Sequence, residues 1–362
     1  MRRKWAMQKG WRKPSPGWLR RGGYEFLKAW DNPHNTDMFT ASNVSVIIPS
    51  YNSCSRIESC LDALLDQTTP PLEIIVVDSS ADGTANLITK KYPAVQLRKV
   101  KYRIFPGPAR NLGVKAARGS IIAFTDADCI AAPDWVERIV ADHNAGRLAV
   151  GGAIEVGNPN SGVAWAGHLG EFREFLPAGD PRPVIHVPTC NISYRKDLFE
   201  VHGGFPDAYY PQEDLLFNYL LGLQGLQIWF DPAVRVRHFC REDMRSYLSH
   251  QHRIGRVTRC TLRRINLPGS RIARMSKLGL LASPALGLLK FVRTAGIFVA
   301  RYPRQVWRQP GLFLLLSLGA IWWARGFAEG ARTGLSGIRG WTDPDEPIFN
   351  LLVPARERQE FK

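Results

Sequence analysis

The sequence lacks the features that mark several simple protein classes. Its six cysteines are scattered and form no Cys-x-x-Cys pair. This argues against a zinc ribbon and gives little support to a disulfide scaffold, so we expect a reducing compartment. No internal repeat or low-complexity tract is present, and 45% apolar with 22% charged residues excludes a mostly disordered or fibrous chain. No apolar segment follows Arg2-Arg3-Lys4, so we expect no signal peptide.

Acidic residues are scarce outside the middle of the chain. The formal net charge is +16, which alone predicts nucleic acid, a phosphate-bearing substrate or an acidic membrane as partner. Residues 1–43 carry a net +6, residues 235–342 a net +17 and residues 343–362 a net −2, whereas residues 44–234 carry a net −5. Because the positive charge belongs to the flanks, we expect no nucleic-acid partner.

The basic C-terminal region also contains the longest apolar runs, 278–289 and 311–324. Both are shorter than the roughly 20 residues that a spanning helix needs. Arg and Trp residues nearby favour helices at an anionic membrane interface. Two alternatives stay open: a helical pair that packs on the rest of the protein, and insertion if the first run continues to residue 300. The Trp-rich stretch 1–43 is either a membrane-surface arm or a flexible or packing extension.

Residues 44 to about 156 alternate between apolar β-branched runs and amphipathic stretches. Strands are predicted over 44–48, 74–77, 95–100 and 121–125, and helices from a Ser55–Glu58 capping box and over 82–91, 109–118 and 133–146. This alternation predicts an α/β fold with a Rossmann-like, mostly parallel sheet flanked by helices. Ligands of such sheets bind at the carboxyl ends of the strands.

Polar residues stand at those strand ends. Asp78 follows the second strand, and Asp126 and Asp128 follow the fourth. Two acids one residue apart can direct one carboxylate at a ribose hydroxyl and the other at Mg²⁺ or Mn²⁺, although the pattern is also common in turns and helix caps. Arg110, near a predicted helix start, is either a phosphate ligand or an exposed helical arginine.

The second half of the chain offers further candidates. Glu213 and Asp214 precede an apolar run, so they either cap a helix or take a proton from an acceptor hydroxyl. His238 follows a strand-like segment and is either a metal ligand or a surface histidine. Arg253 and Arg256 lie on a basic, helix-like stretch that is either a solvated or membrane-facing surface or a clamp on a diphosphate.

Together these motifs resemble the family 2 glycosyltransferases over about residues 44–260. The resemblance rests on VSVIIPSYN at 44–52, VVDSSADGT at 76–84, ARNLG at 109–113, GSIIAFTDAD at 119–128, and GGFP at 203–206 leading to Glu213-Asp214. It implies the type A nucleotide-sugar-binding fold. It differs from many members at Ser79 and at residues 215–219, and residues 251–256 only partly match the motif of polymer-forming members, so transfer of a single sugar is favoured.

The resemblance also implies roles for particular residues. Pro49, Tyr51 and Asp78 frame the nucleotide base (usually uracil), Arg110 contacts the nucleotide or its phosphates, Asp126 lies near the ribose or sugar, Asp128 and His238 hold the metal, Asp214 is the catalytic base, and Glu213 lies beside the acceptor. Apart from the resemblance, Arg253 and Arg256 are further candidates for the donor site, as the diphosphate clamp that is the alternative to a solvated or membrane-facing surface. The implied reaction is a metal-dependent inverting displacement with Mn²⁺ or Mg²⁺ as cofactor.

The resulting expectation is a glycosyltransferase on the cytoplasmic face of the cell membrane, active in envelope glycan, glycolipid or exopolysaccharide assembly. Its expected partners are a nucleotide-sugar donor, a glycan or lipid-linked acceptor and an anionic membrane surface. The expected divisions are an extension (1–43), a donor half (44–156), an acceptor and catalytic-base half (157–265), a membrane-associating helical region (266–342) and a tail (343–362). The alternatives are a nucleotidyltransferase and a polyanion- or membrane-binding protein with a degenerate transferase domain.

Overall fold

The computed structural model of the chain describes residues 38–207 and 209–333, so most of the extension and the whole tail lie outside it. The strands are β1 (Val44–Ser50), β2 (Glu73–Asp78), β3 (Gln96–Lys99), β4 (Ile121–Thr125), β5 (Cys129–Ala131), β6 (Ala149–Val156), β7 (Arg182–Val184), β8 (Asn191–Arg195) and β9 (Ile228–His238). They form one sheet in the order β3-β2-β1-β4-β8-β6-β9-β5, with β7 paired to β9.

The first four strands in this order are all parallel, and β6 runs parallel to β9. Strand β8 enters antiparallel between β4 and β6, and β5 and β7 pair antiparallel with β9. The predicted α/β fold with a mostly parallel sheet is therefore confirmed. The antiparallel β8 has a consequence for the site, because its start lies beside the carboxyl end of β4, with Asn191 opposite Thr125.

Helices cover the sheet and continue beyond it. They are α1 (Ile57–Leu65), α2 (Thr84–Lys91), α3 (Pro106–Ala116), α4 (Trp135–Asn144), α5 (Gly162–Phe172), α6 (Asp197–His202), α7 (Glu213–Leu223), α8 (Met244–Arg264), α9 (Ser270–Arg274), α10 (Ser276–Arg301), α11 (Pro303–Arg308) and α12 (Leu312–Thr333). The central strands alternate their side chains between two apolar clusters, one on each face of the sheet. In β1, Val46 and Ile48 enter one cluster and Ile47 the other.

The predicted helix starts all differ from the structure, and α2 and α4 begin two residues later than predicted, at Thr84 and Trp135. The capping box at Ser55–Glu58 is wrong, because α1 begins at Ile57 without a side-chain cap and Glu58 pairs instead with Lys91 of α2. Helix α3 begins three residues before the predicted start, at Pro106. Proline is tolerated there because the first amides of a helix have no intrahelical acceptor.

The C-terminal helices pack on the sheet-bearing part of the chain through a third apolar cluster that draws Trp165 from α5, Tyr247 from α8, Phe298 from α10 and Leu316 from α12. Helices α8 and α12 touch backbone to backbone, since a Cβ on Gly255 would overlap Trp323. The packing alternative considered for this region is thus observed.

Packing leaves much of these helices uncovered. The segments Gly279–Arg301 and Leu312–Gly330 are each long and apolar enough to cross a membrane, with a mean hydropathy of 1.3. Both are helical over more residues than the apolar runs in the sequence indicated. Of the first, only 17% of the most apolar stretch is buried in the protein.

Candidate active site

The carboxyl ends of β2, β1 and β4 lie side by side because these strands are neighbours in the sheet. Asp78 ends β2, where it is fully buried and accepts a hydrogen bond of 2.8 Å from Ser50 Oγ of β1. Its second oxygen, Oδ2, is also buried, and no group in the described ranges donates to it. An unpaired buried acceptor is costly, so this atom is suited to receive a donor from a bound molecule.

The loops after β1 and β2 are tied together beside Asp78. The amide of Asn52 donates to Ser80 Oγ at 2.7 Å, and Asn52 Oδ1 accepts from the amide of Ala81 at 3.2 Å. Pro49 is half-buried in β1, and the ring of Tyr51 is exposed with the Arg103 guanidinium 4.3 Å above its centre. The predicted base-binding residues therefore share one surface at the ends of β1 and β2.

Arg110 of α3 joins two acids that lie far apart in sequence. Its Nη2 is 2.7 Å from Asp126 Oδ1 and its Nη1 is 2.8 Å from Glu213 Oε1, and the side chain is 3% exposed. The alternative of an exposed helical arginine is therefore wrong. Both contacts are charge-assisted and directed by the planar guanidinium, so Arg110 fixes the positions of the two carboxylates.

Asp128, Cys129 and His238 form a group whose ligand atoms all lie within 4.8 Å of one another. Antiparallel pairing of β5 with β9 sets Cys129 opposite His238, and His238 Nε2 is 3.6 Å from Asp128 Oδ1. Burial raises the pKa of the Cys129 thiol. Carboxylate and imidazole ligands suit a divalent cation such as Mn²⁺, so Asp128 and His238 fit the predicted metal.

Asp214 lies near the carboxyl end of β4. It is hydrogen-bonded to Thr189, which comes just before the antiparallel strand β8 that pairs with β4. Its Oδ2 accepts hydrogen bonds from the amide of Thr189 at 3.1 Å and from Thr189 Oγ1 at 3.3 Å, just before β8 begins. The adjoining Glu213 is buried, and burial together with the negative charge of Asp214 raises its pKa to about 7 against the opposing effect of Arg110. Two acids with different surroundings thus stand next to each other at the start of α7.

These groups line one cavity of about 730 Å³. Of the residues proposed from the sequence, its wall contains Arg110, Asp126, Asp128, Glu213, Asp214 and His238. Pro49, Tyr51 and Asp78 lie outside this wall, at the ends of β1 and β2. The structure does not bring the two arginines of α8 to it: Arg253 lies 6.0 Å above the ring of Tyr210, and Arg256 Nη1 is 3.5 Å from Glu329 of α12. Their role as a diphosphate clamp stays a prediction.

Several cavity residues were not found from the sequence. Thr189 holds Asp214, and His250 Nε2 lies 3.1 Å from Glu171 Oε2 in the wall. Arg241 and Lys290 also reach the cavity. Thr189 stands in no motif and the others belong to helices or loops that meet only in the folded chain, so no local pattern in the sequence indicated them.

Comparisons with known proteins agree on one family. The model of the family described as "Glycosyl transferase family 2" matches residues 45–203. Glycosyltransferase AglE of Haloferax volcanii is 31% identical over 236 residues, which span 61% of this chain and 77% of that protein. Succinoglycan biosynthesis protein ExoO of Rhizobium meliloti is 30% identical over 165 residues, 44% of this chain and 47% of that protein.

A solved structure shares the fold. The mannosyltransferase PcManGT from Pyrobaculum calidifontis, determined in complex with GDP-Man and Mn²⁺, has a TM-score of 0.50 and 20% sequence identity, and the match covers 82% of this chain and 92% of that one. At this identity the likeness concerns the arrangement of the sheet and helices.

Proposed function

Because the chain belongs to the family 2 glycosyltransferases, and acts on nucleotide sugars as an enzyme of that family, we propose that it moves one sugar to a hydroxyl acceptor with inversion at the anomeric carbon. The observation that carries this proposal is the convergence of Asp126, Asp128 and Asp214 on one cavity. The first two follow strand β4, and Thr189 holds the third near its carboxyl end.

The donor would lie along the carboxyl ends of β2, β1 and β4. By the family resemblance Asp78 would accept a hydrogen bond from a base N–H; its Oδ2 is buried and no described group donates to it, whereas Tyr51 offers an exposed ring. UDP-sugars are the first expectation, and GDP-sugars belong in the test because PcManGT was crystallised with GDP-Man. Arg110 is bonded to two acids, so we infer that it positions Asp126 toward the ribose or sugar, and its contact with the nucleotide or its phosphates stays a prediction.

Asp128 and His238 would hold a divalent cation. A cation held there would supply positive charge to the diphosphate leaving group. Asp128 is half-exposed to the cavity, whereas His238 is largely covered, so the carboxylate meets the incoming donor and the imidazole supports it from the strand behind. Arg241 lies in the same wall and adds a second positive charge close to Asp128.

Asp214 acts as the general base. Its carboxylate lines the cavity, and the bonds from Thr189 fix its orientation. It takes the proton of the acceptor hydroxyl, the hydroxyl oxygen forms a bond to the anomeric carbon, and the bond from that carbon to the nucleoside diphosphate breaks with its electron pair on the phosphate oxygen. Glu213, held by Arg110, keeps the start of α7 at the acceptor side.

The exposed face of α10 attaches the enzyme to the membrane. Along α10 the exposed Leu281, Leu288, Val292 and Val299 follow one another at intervals of seven, four and seven residues, so they form a single apolar stripe. This stripe and the surrounding arginines support binding to an anionic surface, and they fit an enzyme of envelope glycan, glycolipid or exopolysaccharide assembly that works on the cytoplasmic face.

A panel of UDP- and GDP-sugars tests the proposal. Release of nucleoside diphosphate is measured with Mn²⁺ or Mg²⁺, with and without a membrane lipid extract. We expect one donor to give release that requires the metal and increases with the extract. Absence of release from every donor, or equal release after chelation, would contradict the proposal.

A further inference from the structure

The active-site cavity has a second end that the proposed chemistry does not use. Asp126, Asp128, Glu213 and Asp214 line one end of the cavity. Residues of α10 and of the last turn of α5 line the other end. That helical end contains Arg173, Lys290 and Arg293 together with Leu286 and Leu289. Positive charge and apolar surface therefore lie next to each other in one continuous space that begins at Asp214.

The positive charges of the helical end are only partly compensated. Lys290 Nζ donates to the carbonyl of Gly170 at 2.7 Å, and Arg173 Nη1 donates to the same carbonyl at 3.2 Å. A neutral carbonyl does not cancel these charges, and burial together with the nearby Arg173 lowers the pKa of Lys290 to about 7, so Lys290 is only partly protonated at neutral pH without an anion beside it. Glu174 pairs with Arg293 at 2.9 Å and lies 3.5 Å from Arg173 Nε.

The acid of the cavity wall near these cations is Glu171, which is engaged by His250 and by Gln251 Nε2. Arg173 and Arg293 thus share Glu174, and Glu171, whose charge acts on Lys290, is already bound by His250. Ammonium and guanidinium groups carry several N–H donors each, so donors remain for an anion. The helical end is therefore a place where a phosphate group would gain charge-assisted hydrogen bonds.

The apolar part of this end continues to the outside. A residue advances by about 100° around a helix, so on α10 the arc of Leu289, Arg293 and Lys290 lies beside the stripe of Leu281, Leu288, Val292 and Val299. Leu289 belongs to both regions, since it lines the cavity and is 56% exposed. A chain that leaves the cavity past Leu289 therefore runs directly onto the exposed stripe.

We propose that the helical end binds the phosphate of a lipid-linked saccharide, with the phosphate at Lys290, Arg173 and Arg293 and the lipid chain passing over Leu289 to the membrane-facing stripe. This inference rests on the proposed function and specifies its acceptor. The saccharide hydroxyl reaches Asp214 and reacts as described above, while the lipid phosphate undergoes no bond change. Charge at one point and apolar surface beyond it match an amphiphile with one anionic group.

Binding of geranylgeranyl phosphate to the purified full-length protein tests this inference, with geranylgeraniol and inorganic phosphate as comparison probes. We expect the phosphate ester to bind at least 10-fold more tightly than the alcohol, and inorganic phosphate at equal concentration not to displace it. Equal binding of ester and alcohol would overturn the phosphate site. Displacement of the ester by inorganic phosphate would overturn the contribution of the lipid chain to binding.

Two variants locate the site. Lys290→Met keeps the length of a partly buried side chain, and Arg293→Gln changes a more exposed one, so both should fold. We expect the ester to bind at least 10-fold more weakly to Lys290→Met and at least 3-fold more weakly to Arg293→Gln. Binding of the alcohol should be unchanged in both. Arg301→Met, on the same helix but outside the cavity, is the matched control and should bind as the wild type does. Equal affinity of all three variants would overturn the assignment.

An Asp214→Asn protein separates this inference from the proposed function. It should bind the ester as tightly as the wild type does. Tight ester binding by a wild-type protein that transfers no sugar from any donor would contradict the proposed function alone. Transfer to a free saccharide by a protein that does not bind the ester would contradict the lipid-phosphate site alone.

Discussion

Arg110 Nη1 lies 2.8 Å from Glu213 Oε1, and the two residues are separated by 103 positions in the sequence. Both side chains are buried, and the other arm of the guanidinium holds Asp126 at 2.7 Å. One cation therefore connects the donor-side end of β4 with the acceptor-side start of α7. The geometry of the whole site depends on this connection.

Replacement of Arg110 should disrupt both sides of the site at once. Arg110→Met leaves Glu213 and Asp126 without their counter-charge, and breaking a buried ion pair in this way is strongly destabilising. We expect a lower Tm and a loss of at least 100-fold in the transfer rate. Arg110→Lys keeps the charge but cannot reach both carboxylates as a planar fork does, so an intermediate rate is expected.

Lys115→Met is the control for this pair, because Lys115 is exposed on the same helix. It should change neither Tm nor rate appreciably. If Arg110→Lys transfers sugar at the wild-type rate, the bidentate connection is unimportant for catalysis.

The rate should fall as the pH drops below about 7. Burial and the charge of Asp214 raise the pKa of Glu213 to about 7, so Glu213 takes up a proton below that pH and its ion pair with Arg110 weakens. A rate profile of Glu213→Gln should lack this limb, because glutamine does not titrate. Glu200→Gln, a change at an exposed position, should keep the wild-type profile.

The same pKa fixes the sign of a stability effect. The folded chain holds the Glu213 proton more tightly than the unfolded chain, whose carboxyl titrates near 4.5. This contribution to stability is therefore present below about pH 4.5 and is lost as the pH rises to about 7. Relative to Glu213→Gln, the wild-type Tm should decrease over that interval. A difference in Tm that is constant with pH would contradict the raised pKa.

The sequence predicted that three acids lie at the ends of strands, and their roles in donor binding stay predictions. Asp78, Asp126 and Asp128 each follow an apolar strand, and the alternation of strands and helices is enough to bring strand ends to one edge of a sheet. The sequence did not indicate which side chains pair with one another in the site. Glu213, one of the two acids bound by Arg110, lies in α7. Thr189 meets Asp214 only because β8 runs antiparallel beside β4. Such pairings are set by packing over long separations.

Local signals also failed where two interpretations of one pattern compete. The Pro-Gly-Pro run at 106–108 resembles a helix breaker, yet α3 starts within it because its prolines occupy the first turn. Ser55 and Glu58 match a capping box, yet Glu58 pairs with Lys91 across two helices. The extent of α10 and α12 was underestimated because Lys290, Arg293 and Arg325 interrupt their apolar runs, although helices accommodate such residues.

Thr189 should act through Asp214 alone. Thr189→Val removes the Oγ1 bond of 3.3 Å and leaves the amide bond of 3.1 Å, so the base becomes less firmly oriented. We expect kcat to fall by about 3- to 10-fold with an unchanged KM for the donor, in keeping with the loss of one hydrogen bond. Thr189→Ser should restore the rate. A change in donor KM without a change in kcat would place Thr189 in the donor site instead.

His238 should determine how strongly the metal binds. His238→Gln removes the imidazole that lies 3.6 Å from Asp128, so the Mn²⁺ concentration for half-maximal rate should rise at least 10-fold. His252→Gln is the matched control, because His252 pairs with Glu329. Manganese binding measured by calorimetry checks the assignment without relying on turnover. Equal Mn²⁺ affinity in both variants would exclude His238 as a ligand.

The exposed stripe of α10 should govern membrane attachment. A double change, Leu288→Glu with Val292→Glu, places two negative charges where an anionic surface is expected. In flotation with vesicles that contain anionic lipid, most of the bound protein should be lost. Leu65→Glu, which changes an exposed leucine on α1, should float as the wild type does. Unchanged flotation of the double variant would contradict attachment through α10.

We expect Asp214 to perform the proton transfer and Asp128 to secure the donor. Donor affinity and single-turnover transfer, measured side by side for Asp214→Asn and Asp128→Asn, separate these two roles. Asp214→Asn should bind the donor with wild-type affinity and lose at least 100-fold in transfer, as removal of a general base does. Asp128→Asn should lose metal-dependent donor binding itself. Transfer at the wild-type rate by Asp214→Asn would show that Asp214 is not the base.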